Sequence, residues 1–114
     1  MQLNLMLGPG LLVLSSLAFA QSAQLPNKTV VKVSAYGTRA VVAYAPPDTA
    51  NGCIGPQADK TFVIDWNSDP QLKAMLSLVL LAKSTGGTIG VGISGCFNVN
   101  ATDLAPLAYR IDLN

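Results

Sequence analysis

The spacing of apolar positions along this chain changes several times, and each change predicts an element. Leu5 to Ala20 is an apolar run broken only by Gly8-Pro9-Gly10 and a few small or polar residues. Gln21 to Asn27 is polar with one Pro and reads as a loose N-terminal arm. In Thr29 to Tyr36 the β-branched Val30, Val31 and Val33 favour a strand, and Arg39 to Tyr44 continues with Val41 and Val42. Gly37-Thr38 between them predicts a tight turn and therefore a hairpin. Ala45 to Lys60 holds Pro46, Pro47, Gly52, Gly55 and Pro56, so a long loop is expected there with Cys53 in its middle. Thr61 to Trp66 alternates Phe62, Ile64 and Trp66 against Thr61, Val63 and Asp65, the period of a third strand.

The period then lengthens to that of a helix. Asp69 is an N-cap residue and Pro70 suits the first helical position, because a Pro there gives up no intrahelical hydrogen bond. No breaker follows until Gly86-Gly87, which supplies the glycine stop. Leu72, Met75, Leu76, Val79 and Leu80 fall on one side of this helix, and Ala74, Leu78, Leu81 and Ala82 on the other. Only Lys73, Ser77 and Ser84 share a wet stripe. A helix resting on one sheet needs an apolar arc of little more than about 100°. This one is apolar over much more, so it is expected to be sandwiched in its own fold or buried against another subunit, with Ala74, Leu78 and Leu81 as the interface. After it, Thr88 to Ser94 alternates Ile89, Val91 and Ile93 with Gly90 and Gly92, a strand whose bare glycine face invites a helix or a second backbone. Cys96 is expected just past its end, a loop over Ala101 to Ala105, and a last strand over Leu107 to Leu113 with Leu107, Tyr109, Ile111 and Leu113 on one face. The resulting order is β-β-β-α-β-β, a mostly β domain with one helix.

Residues 1–20 end in Ala18-Phe19-Ala20, the small-x-small pattern that precedes signal-peptide cleavage. The run is too interrupted for a membrane span, which needs about 20 apolar residues. The reading is a signal peptide over 1–20, a cut between Ala20 and Gln21, and a single secreted or periplasmic domain over 21–114. Cys53 and Cys96 are the two cysteines, and an oxidising compartment favours their pairing in a disulfide.

Composition narrows the chemistry further. The formal net charge is +1 and the basic residues are dispersed, which leaves no electrostatic footprint for nucleic acid. The chain has neither His nor Glu, so the commonest general base and the commonest metal ligand are missing, and no cofactor or metal site is expected. Gly90-Val91-Gly92-Ile93-Ser94-Gly95 matches GxGxxG, yet no helix opens at its third Gly, so it is not a dinucleotide fingerprint. The carboxylates Asp48, Asp59, Asp65, Asp69, Asp103 and Asp112 suit turns and caps better than acid–base work. Ser77 and Lys73 stand four apart on the helix, the spacing of a dyad, but they also form its solvated stripe, and the stripe is the expected role. Asn27-Lys28-Thr29 and Asn100-Ala101-Thr102 are N-glycosylation sequons. Trp66, Tyr36 and Tyr44 fall at strand ends, where an aromatic can stack on a sugar face while its polar tip hydrogen-bonds, and they are the candidate ligand contacts.

Five strands with one helix between the third and fourth is the element order of an OB-fold barrel. The stretch from Asp69 to Lys83, then Thr85-Gly86-Gly87-Thr88-Ile89 and Gly95-Cys96, resembles small secreted bacterial proteins related to the subtilase cytotoxin B subunit. The resemblance covers about residues 53 to 114. It implies an OB-like small barrel, a ring of five with helices lining the centre, an enzymatic partner chain and binding of sialylated or other cell-surface glycans, and it implies no catalytic residue. The expectation is thus a non-enzymatic, glycan-binding module that forms a homo-oligomer. The alternative is a structural or inhibitory protein that docks on a partner protein.

Overall fold

The computed structural model describes residues 22–49, 52–100 and 102–114, so the expected leader lies outside the described residues. The elements are β1 (Ser22–Ala35), β2 (Arg39–Ala45), β3 (Thr61–Asp65), a 3-10 turn (Pro70–Lys73), α1 (Ala74–Thr85), β4 (Thr88–Asn100) and β5 (Asp103–Leu113). The strands form one sheet in the order β1-β2-β3-β5-β4, and β4 pairs back onto β1 to close the ring. All pairings are antiparallel except β3 with β5, which meet in parallel at Val63 and Leu107. The fold is mostly β with a single helix in the order β-β-β-α-β-β, an OB-fold-like arrangement.

Ring closure depends on β1, and here the expected arm is corrected. Residues 22–27 are strand, because the first half of β1 pairs with β4 from Ser22 opposite Ser94 to Thr29 opposite Thr88. The second half pairs with β2 from Thr29 opposite Ala45 to Ala35 opposite Ala40. A register shift between Leu25 and Lys28 bends the strand, with Asn27 at a φ of 51°, as a bulge does. Leu25 is fully buried, and Lys28 lies beneath the loop, its Nζ 3.3 Å from an Asp48 carboxylate oxygen and donating to the Pro46 carbonyl at 3.0 Å. Polar composition concealed this strand because its pairing is made by backbone.

The last two strands also exceed the sequence reading. β4 runs on through Cys96 to Asn100, and β5 starts at Asp103, so the expected loop over 101–105 shrinks to a turn. Gly95, at a φ of 78°, lies within the register shift between Ile93 and Cys96. Beyond it, β4 and β5 continue as a two-stranded arm. A second shift sets Gly92 opposite Arg110 but Ile93 opposite Ala108, so Tyr109 is an extra residue on β5. The expected single face of Leu107, Tyr109, Ile111 and Leu113 is therefore broken: Ala108 and Ile111 enter the core, while Tyr109 and Leu113 are exposed. The bare glycine face meets side chains of β5 instead of a helix: a Cβ at Gly92 would sit 2.9 Å from the Tyr109 ring, and one at Gly90 would sit 3.7 Å from the Asp112 carboxylate.

The core is the barrel interior, where Leu25, Val42, Phe62, Ile64, Ile89, Val91 and Ile93 are essentially inaccessible. Val79 and Ala82 of α1 join it, and Leu72, Met75, Leu76 and Leu78 pack against it. The Asp69 carboxylate accepts from Gln71 N at 3.2 Å, as an N-cap does, though the first turn it caps is 3-10. Gly86 ends α1 in the left-handed conformation, its N–H donating to Ala82 O. Within this chain α1 is not sandwiched: Leu80 and Leu81 are each 48% exposed, and Ala74 is exposed. Among the described residues no helix is long and apolar enough to cross a membrane.

Candidate functional site

A concave groove lies on the outer face of β1 and β2, with the tip of the β4–β5 arm as one wall. Lys32 and Ser34 come from β1, Val41 and Ala43 from β2, and Thr61 from the start of β3. Val99, Asn100 and Asp103 come from the arm, and Gln57 from the loop that precedes β3. The strand period explains the membership: Ala40, Val42 and Tyr44 point into the core, so Val41 and Ala43 face outward. The cavity measures about 210 Å³, below the roughly 300–1,000 Å³ of pockets for drug-sized ligands. It holds a group about the size of one ring. Val41, Ala43 and Val99 make apolar floor and wall, while Lys32, Ser34, Gln57, Thr61, Asn100 and Asp103 ring it with donors and acceptors.

Three ties hold the arm where it forms this wall. Cys53 and Cys96 are joined in the expected disulfide, Cα to Cα 5.9 Å. Leu104 N donates to Ile54 O at 2.8 Å. The buried Asp103 carboxylate accepts from Gln57 N at 3.0 Å and from the Asn100 side-chain amide at 3.2 Å. Gly55 lets the loop approach this closely: at a φ of 130°, a Cβ there would meet Thr102 O at 2.6 Å and Asp103 Cα at 2.7 Å. The disulfide therefore also builds one side of the groove.

At the other end of the same face, the Arg39 guanidinium lies over two aromatic rings. It lies 4.9 Å from the Tyr36 centroid and 5.3 Å from that of Phe97. Arg39 is opposite Asp65 across β2 and β3, but the Asp65 carboxylate accepts from Asn67 N, and Arg39 forms no ion pair with any described carboxylate. Its Nε is buried without a hydrogen-bond partner. Each of these residues stands two positions along the chain from a groove residue: Tyr36 from Ser34, Arg39 from Val41, Phe97 from Val99.

The structure separates the three aromatics expected to contact ligand. Tyr36 is 53% exposed in the Arg39 stack. Trp66 belongs to the core cluster; its indole N–H donates to Gly37 O at 3.2 Å, and Lys73 lies over its ring. Tyr44 is 3% exposed beside Phe62 and beneath Lys28, with its hydroxyl buried and unpartnered. Burial, then the Asp48 and Asp59 carboxylates, push the Tyr44 hydroxyl far above the ordinary tyrosine range. The Ser77–Lys73 pair is not assembled, since the Ser77 hydroxyl donates to Ala74 O at 2.7 Å. Of the sequon asparagines, exposed Asn27 accepts from the Asn114 side chain, and exposed Asn100 accepts from Thr102 N. Sequence reasoning missed Lys32, Ser34, Arg39, Gln57, Phe97, Asn100 and Asp103 as a group. The period-2 set Lys32, Ser34, Tyr36 was the available signal, but the arm that makes it a groove comes from more than 60 residues downstream.

Fold and site together define a small disulfide-stapled, OB-like domain with a ring-sized groove on its outer face. Neither a scan against protein-family models nor a search of curated proteins finds a match to the chain.

Proposed function

We propose that the protein is an exported, non-enzymatic module that binds saccharide in the groove beneath the β4–β5 arm. The observation that carries this reading is the lining itself, an apolar floor bordered by short and amide-bearing polar side chains. A sugar ring presents that combination, with apolar C–H faces and an equatorial rim of hydroxyls, and saccharide sites on this kind of barrel use the outer face and the neighbouring loops. The test is a glycan array probed with oxidised 21–114 and with Ser34→Trp, which fills the groove from its outer face. Saccharide binding by the wild type that the Trp variant loses while keeping its thermal midpoint supports the reading. No binding by the wild type, or equal binding by both, overturns it.

Exposed Leu80 and Leu81 on α1 favour a second, compatible reading in which this helix face meets another chain, a copy of the protein in a ring or an enzymatic partner. Light scattering on 21–114 decides between a ring of about five copies and a monomer, and Leu81→Lys dissociates the ring if α1 is its seam.

A further inference from the structure

The β4–β5 arm leaves one sheet edge unpaired among the described residues. β1 runs along the outer edge of β4 only as far as Ser22 opposite Ser94, and no other described strand pairs there beyond that point. The opposite edge of the arm is closed: Leu104 N donates to Ile54 O, and Pro106 has no N–H to offer. The Leu104 bond also sets the parity of the arm. Leu104 turns its N–H away from β4, so it forms a non-hydrogen-bonded pair with Asn98 opposite, and the N–H and C=O of Asn98 point to the outer edge. The two-residue period places those of Cys96 on the same edge, in agreement with Pro106 opposite it. Sheet edges are ordinarily guarded by charges, by proline or by a covering loop. Residues 94–100 contain neither a charge nor a proline, and Ser94, Cys96, Asn98 and Asn100 are exposed. The pattern about Asn98 is also self-complementary. In an antiparallel pair whose two-fold axis passes beside Asn98, that residue meets Asn98 of a second copy and the two exchange both backbone hydrogen bonds. Phe97 then lies across from Val99 of the second copy, apolar against apolar. A two-fold axis sets each charge near its centre against itself, and this segment has none to repel.

We infer that the outer edge of β4 at Cys96–Asn100 is an interaction surface for a second copy of this chain, which pairs with it edge to edge so that one sheet runs through both arms. Such a seam is isologous and closes at two copies. It is therefore distinct from a ring built on α1, and it rests neither on that reading nor on saccharide binding. Register shifts on both sides of Cys96–Asn98 keep the ladder short, so the pairing depends on concentration. The experiment is light scattering of oxidised 21–114 over a dilution series, with amide exchange at Asn98, repeated on Asn98→Lys and Leu81→Lys. The expected result is a mass of two chains that falls to one on dilution, with the Asn98 amide protected only in the concentrated sample. Asn98→Lys weakens the association at least about tenfold, because two ammonium groups then face each other across the axis. Leu81→Lys leaves it unchanged. An unchanged thermal midpoint of dilute Asn98→Lys keeps lost association from being lost folding. A monomer at every concentration overturns the inference. If its Asn98 amide exchanges fast the edge stays open, and if that amide is protected another stretch of the same chain covers it. A dimer that Asn98→Lys leaves intact, or any assembly that Leu81→Lys dissolves, also overturns it and puts the seam elsewhere.

Discussion

Substituting Gly55 by Ala is the sharpest test of how the arm is held. The residue has a φ of 130°, which side chains other than hydrogen rarely tolerate, and forcing Ala into it costs roughly 1–3 kcal/mol. The added Cβ would also lie 2.5 Å from Asp103 Oδ1, 2.6 Å from Thr102 O and 2.7 Å from Asp103 Cα. Two of those three atoms are backbone, so no change of rotamer relieves the contact and the arm tip must move away. Movement breaks the hydrogen bond from Gln57 N to the buried Asp103 carboxylate, and a bond to a charged acceptor contributes about 1.5–3 kcal/mol. The expected total is a loss of roughly 2.5–6 kcal/mol, a large share of the ~5–15 kcal/mol typical of a domain. The disulfide remains in both proteins, so the unfolded reference carries the same cross-link. Guanidinium denaturation of the oxidised proteins measures the loss. Amide chemical shifts should move at 54–58 and 102–106 and stay put in β1 and α1. A loss below about 1 kcal/mol with unchanged shifts at the arm would refute the account, since strain and clash would then both be absent.

Three further outcomes follow from the same geometry. Gly92→Ala, whose Cβ would have the Tyr109 side chain as its nearest neighbour, is expected to cost under about 1 kcal/mol, because the half-exposed ring can swing aside; a loss near that of Gly55→Ala in the same denaturation series would contradict this. Replacing Cys53 and Cys96 together by Ser opens a 43-residue separation and should cost about 4 kcal/mol by the loop-entropy relation, with faster amide exchange at 96–105 than in the barrel core; uniform exchange across both would show that the arm does not depend on the bridge. The Tyr44 hydroxyl is neutral when protonated and its native pKa is raised, so its contribution is present below the unfolded value near 10 and is lost as pH climbs toward the native one. Tyr44→Phe should therefore hold stability at pH 7 or raise it by about 1 kcal/mol, by removing an unpaired buried hydroxyl. The variant should also lose less stability than wild type above pH 10 in denaturation curves.

What could be read in the chain was what is decided within a few residues. The helix was legible because Asp69, Pro70 and Gly86 act on their immediate neighbours, and caps and helical periodicity need no partner. The β1–β2 hairpin was legible for the same reason, with Gly37-Thr38 between two β-branched runs and Tyr36 N bonded to Arg39 O at 2.7 Å. The disulfide followed from composition and compartment rather than from geometry. The rest belongs to the tertiary structure, because strand pairing is a contract between distant segments. Residues 22–27 are a strand only because β4 offers them a free edge. Tyr109 leaves the core face only because one extra residue opposes the step from Gly92 to Ile93. The groove exists only where the arm, tied through Cys96, Leu104 and Asp103, is laid over the outward residues of β1 and β2. Local pattern specifies which face of a strand is polar; only the closed ring decides what that face looks out upon.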